Sequence, residues 1–98
     1  MKPEAAEAWK AAVVCFREAQ ASFEKGNHSS AILQCKNAVC SACLAIKFAG
    51  FGNTAWTFMQ IDNLNTLGST QAIAETHKIL QMLRQMAPSE DPFPEIRL

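Results

Sequence analysis

The feature that most constrains this chain is the stretch of residues 29–49, which carries two apolar stripes on what its spacing predicts to be a single helix. Projected at about 100° per residue, Ala31, Ile32, Cys35, Ala38, Val39, Ala42, Ile46 and Ala49 make a broad stripe. Leu33, Cys40, Leu44 and Phe48 make a narrow one, separated from the first by Lys36 and Lys47 on one side and by Ser30, Gln34, Asn37 and Ser41 on the other. Such a helix needs cover in two directions. The small residues of the broad stripe let a neighbouring helix approach closely, and the larger narrow stripe is left over for a third helix or a second subunit.

The neighbour is supplied upstream. Pro3 and Glu4 suit a first helical turn, where a missing N–H costs nothing and a carboxylate meets the positive end of the helix dipole. From there Ala5, Trp9, Ala12, Phe16, Ala19 and Phe23 recur at helical spacing, with Glu7, Lys10, Glu18 and Lys25 opposite. Gly26 offers a left-handed end to this helix, and Asn27 or Ser29 a cap for the next. Gly50 and Gly52 end the second helix; Asn53 or Thr54 caps a weaker helical segment with Trp56, Phe58, Met59, Ile61, Leu64 and Leu67. After Gly68, with Ser69 or Thr70 as cap, a last helix runs to Met86 with Ile73, Ile79, Leu80, Met82 and Leu83 inward. Pro88, Pro92 and Pro94 exclude further helix. The expectation is an all-α, antiparallel bundle of four helices over residues 1–87, two long, one weak and one final, followed by a proline-rich tail over 88–98.

Composition narrows the function classes. Nine Lys and Arg balance nine Asp and Glu, so no overall field draws the chain to nucleic acid or to an anionic membrane. The longest mainly apolar run, Ala38 to Phe51, is shorter than the roughly 20 residues of a membrane span. Four cysteines within helical stretches, and no secretory leader, imply a reducing cytoplasm rather than a disulfide framework. At 98 residues a chain buries only roughly 60 to 65% of its unfolded surface, so self-association is a natural supplement. A homodimer through Leu33, Leu44 and Phe48 is therefore expected.

Candidate chemistry is sparse. His77 and Arg84 share a side of the last helix and are candidate phosphate ligands, but about 10.5 Å of helix separates them, too far to grip one oxygen together. A boundary histidine and a solvated arginine are the plainer account. Gln34, Asn37 and Ser41, with Ser30, make a polar ridge fit to hydrogen-bond a nucleotide or a partner, or simply to face water. Cys35 and Cys40 point about 140° apart, so they do not converge with Cys43 on a zinc ion, and no metal or cofactor is expected.

The run from Phe16 to Phe51 combines a helix ending in Gly26, the polar turn Asn27-His28-Ser29-Ser30, and an alanine-rich helix closing on Lys47 and Gly50. With the later Thr76, His77, Leu80 and Leu83, it resembles the HEPN (higher eukaryotes and prokaryotes nucleotide-binding) family. That resemblance implies a four-helix bundle that commonly dimerises and works beside a nucleotidyltransferase or in toxin–antitoxin and stress systems. Catalytic members of the family cleave RNA with a closely spaced arginine and histidine. Here Arg17 and Arg84 have no histidine at that distance downstream, and Gln71 stands where the arginine before His77 would be. The expected function is a non-catalytic interaction module. The alternatives are a divergent ribonuclease using His77 with an arginine from elsewhere, and a tetratricopeptide-like hairpin, whose small-residue positions Gly26, Ala31 and Ala38 match.

Overall fold

The computed structural model describes residues 2–50, 54–87 and 92–94. It contains four helices, α1 (Pro3–Glu24), α2 (His28–Phe48), α3 (Thr54–Leu64) and α4 (Ser69–Met86), and no strand among the described residues. The all-α expectation holds. The molecule is 39 Å long, close to the roughly 33 Å of a helix the length of α1, so the helices lie along one axis.

Backbone bonding explains where the long helices stop. At the end of α1, Gly26 adopts φ +78°, its N–H donates to the Phe23 carbonyl, and Asn27 N–H donates to Ser22 O at 2.9 Å. This six-to-one and five-to-two pair closes the orphan carbonyls, and it needs a left-handed residue at the position glycine fills. Asn27 then caps α2, its side-chain oxygen accepting from Ser30 N at 3.2 Å. Gly50, at φ +99°, donates to Lys47 O and ends α2 in the same left-handed conformation. Gly52 and Asn53, assigned from sequence to the end of α2 and the next cap, lie outside the described residues. At α4 the sequence expectation fails by one residue. Gly68 is the cap and offers no side chain, because the Ser69 hydroxyl already belongs to the helix and is held by His28 Nδ1 at 2.6 Å.

The His28–Ser69 bond joins the N-terminal ends of α2 and α4, so those two run parallel and α1 and α3 run against them. The most extensive pairing is α1 with α2, and α2 also packs on α4 and α3. No packing between α1 and α3 is seen among the described residues, and α3 touches α4 only slightly. The helix with two apolar stripes is thus the hub. By length and composition α2, 21 residues with a mean hydropathy of 1.3 over its most apolar window, also passes the test for a membrane span that the sequence reading rejected. Within the bundle α2 packs on the three other helices, and 39% of that window is buried.

The core follows the helical faces. Ala5, Trp9, Ala12, Phe16 and Ala19 of α1 meet Ala31, Cys35, Ala38, Val39, Ala42, Ala45 and Ile46 of α2, all buried. Ala72, Thr76, Ile79, Leu80 and Leu83 of α4, Leu64 of α3 and Phe93 beyond the helices join it. Met82, expected inward, is exposed, because the face of α4 is centred on Ala72, Thr76 and Leu83 and Met82 falls off its edge. Replacement of Phe16 by alanine should cost about 3–5 kcal/mol and of Ile46 about 2–5 kcal/mol in chemical denaturation. Met82→Ala, at a surface position, should change stability by no more than about 0.5 kcal/mol. A loss at Met82 equal to that at Phe16 would overturn this assignment of faces.

Candidate functional site

Two places bring together side chains with more than a packing role: the outward face of α2 and the end of the bundle where Trp9 and Arg84 lie. On the outward face Leu33 is 51% exposed, Leu44 47% and Phe48 40%, with the exposed Cys40 among them. The narrow stripe stays uncovered because α1 and α4 take the opposite side of α2 and α3 takes one flank. That flank is marked by Lys36 Nζ donating to Asn65 Oδ1 at 3.0 Å and by Thr57 bonding the Cys43 thiol. Phe58 of α3, next to Thr57, is among the large apolar residues that α3 leaves open. It is 63% exposed. A strip running Leu33, Cys40, Leu44 and Phe48 is therefore open in the single chain.

The polar ridge edges this strip. Ser30, Gln34 and Ser41 are half-buried and Asn37 is exposed. Asn37 Nδ2 donates to Gln34 Oε1 at 3.4 Å, and Ser30 Oγ lies 3.2 Å from Ser22 Oγ of α1. The amides answer each other along one helix and do not converge on a pocket. An apolar centre with a rim of amides, hydroxyls and lysines is the ordinary anatomy of a protein contact.

His77 and Arg84 are not brought together. The His77 ring packs over Phe16 with centroids 5.8 Å apart, and its Nε2 lies 3.5 Å from Gln81 Nε2. Arg84 turns to the other end, where its Nε donates to the Phe93 carbonyl at 2.8 Å. The sequence-based pairing for phosphate thus yields to two separate structural roles. What the sequence reading missed is the partner of Arg84. Residues 92–94, taken as tail, return to the bundle, and Phe93 is fully buried and stacked on Trp9 with centroids 4.6 Å apart and planes inclined by 13°. Trp9 Nε1 donates to Pro94 O at 2.9 Å. The available signal was an aromatic residue between two prolines, Pro92-Phe93-Pro94, unexpected in a solvated tail.

The remaining polar interior is small. His28, edge-on to Phe23 at 5.8 Å, holds Ser69 as described. Thr76 Oγ1 is wholly buried without a hydrogen bond of good geometry, although its hydroxyl faces the Cys35 thiol. A shallow groove of 340 Å³ between the end of α1 and the start of α4 is lined by Gln20, Phe23, Glu24, Thr70, Ile73 and Ala74. It holds one carboxylate and no base or nucleophile pair, so it offers shape without chemistry. Among the described residues no group of three His, Cys, Asp or Glu side chains is placed to hold a metal ion. No protein-family model, curated protein or solved structure matches this chain.

The four cysteines are free thiols. Burial pushes the Cys35 thiol up, and the Thr76 hydroxyl opposes this only in part. Burial likewise raises Cys43, where Thr57 opposes and Cys40 adds to the shift; Cys40 itself is raised by burial, and Cys15 by burial and then Glu18. None is therefore an activated nucleophile at neutral pH. A folded-state pKa above the unfolded one contributes stability below the unfolded pKa and loses it as pH rises through the folded pKa, so the domain should weaken on the alkaline side. In maleimide labelling at mildly alkaline pH, at a dilution that keeps the chain single, the exposed Cys40 should react first and the buried Cys35 only on unfolding. Cys35 reacting as fast as Cys40 in the folded protein would contradict the closed α1–α2 interface.

Proposed function

We propose that this chain is a non-catalytic, HEPN-like helical interaction module that works as a homodimer through the outward face of α2. The observation that carries the reading is the open strip of Leu33, Leu44 and Phe48 on the helix that is otherwise the hub of the core. Burying such a side chain completely contributes about 1.5–3 kcal/mol, and these three, about half exposed in the single chain, have roughly half of that left to gain. A two-fold axis lets the same strip serve both copies. Lys36 and Lys47 on one edge and Gln34 and Ser41 on the other stay at the rim, where their polar groups keep water, while Asn37 lies within the strip between Leu33 and Leu44 and bonds Gln34.

Support for the non-catalytic half is the dispersal of the candidate ribonuclease groups. Arg84 donates to the Phe93 carbonyl and the His77 ring packs on Phe16, so among the described residues these two are held apart. A nucleotidyltransferase or another component of a two-gene stress system is the partner class implied by the resemblance, and four cysteines without a disulfide suit the reducing cytoplasm proposed for it.

Light scattering at micromolar concentration should give twice the 10.7 kDa chain mass. Leu44→Glu or Phe48→Glu should reduce it to the monomer with helicity retained, because an unpaired carboxylate in a dry contact is costly to desolvate. A monomeric wild-type chain sinks the dimer. Cleavage of RNA by the purified protein, lost in His77→Ala, would replace the module with the ribonuclease reading.

A further inference from the structure

The end of the bundle that holds Phe93 has the make-up of a peptide-binding site. Its floor is the Trp9 indole of α1, against which the Phe93 ring lies nearly parallel, and its two polar contacts are donors from different helices. Trp9 Nε1–H takes the Pro94 carbonyl and Arg84 Nε–H the Phe93 carbonyl, so consecutive main-chain carbonyls are read from opposite sides. The segment itself has no secondary structure. Two of its three residues are prolines, which have no N–H to offer and hold φ near the extended, low-entropy conformation that aromatic grooves recognise in proline-rich ligands.

α4 has ended at Met86 before this segment arrives, and α1 is complete at its own end, so neither helix depends on residues 92–94 for its backbone bonds. The helices supply the floor and both donors, and Phe93 fills the place between them as a fully buried side chain. We propose that the Trp9–Arg84 slot is a binding site for an extended Phe-Pro segment, filled in cis by Phe93 and Pro94 and open to the same chemistry in trans when that segment is displaced. The slot lies at the Trp9 and Arg84 ends of α1 and α4, away from the α2 strip, so this does not rest on the homodimer.

Covalent linkage to the same chain gives the cis segment an effective concentration of about millimolar, so an outside ligand competes poorly until the cis aromatic is lost. The test uses the full chain carrying Phe93→Ala and a synthetic peptide of residues 88–98, PSEDPFPEIRL. Calorimetry should show saturable binding to the variant and at least tenfold weaker binding to the wild-type chain. The same peptide with alanine for its phenylalanine should not bind. A further Trp9→Phe change in the variant keeps an aromatic floor but removes the indole donor, and should weaken binding by about three- to tenfold. If Phe93→Ala alone unfolds the chain, the peptide should restore helicity by circular dichroism and the alanine peptide should not. No binding to the folded variant, no rescue of an unfolded one, equal binding to wild type, or an affinity unchanged by Trp9→Phe would each overturn the proposal.

Discussion

The close packing of α1 on α2 is the contact from which the other features follow. Ala5, Ala12 and Ala19 on one helix and Ala31, Ala38, Ala42 and Ala45 on the other are all fully buried, so the two backbones approach with little side-chain bulk between them. The large residues Trp9, Phe16 and Ile46 fill the space left along this seam. Tight glycine-closed turns at Gly26 and Gly50 set the helix ends, and Asn27 starts α2 within a residue of the turn.

With α1 on one side of α2, the other described helices do not surround it. α4 joins the same core, fixed in direction by His28 and Ser69, and α3 lies against one flank through Lys36–Asn65. The outward face of α2 therefore remains open, and its apolar residues are an excess that no other described element covers. At the opposite corner the deficit is reversed. The Trp9 face needs an aromatic cover that α4 does not provide, and Phe93 supplies it from beyond the helices.

The candidate site was legible only where it depended on helical period. Leu33, Leu44 and Phe48 could be assigned to one outward stripe because their spacing defines a direction on α2 whatever surrounds it. His77 and Arg84 could be placed on one side of α4, but their partners could not be read. Phe16 is on another helix and Phe93 lies beyond a proline that ends regular structure, so neither contact has a local signature.

By itself the sequence determined the four helices, the end signals at Gly26 and Gly50, the buried faces of α1 and α2, and the surplus stripe on α2. Each of these is a consequence of local bonding or of the 3.6-residue period, which acts within a few turns of chain. Only the tertiary structure decided that α3 sits on the flank of α2, that Met82 turns outward, and that Arg84 and Trp9 both hold the segment at Phe93 and Pro94. Those outcomes depend on which surfaces remain unfilled after the α1–α2 pair has formed, and a shortage of cover is a property of the packed whole that no window of residues contains.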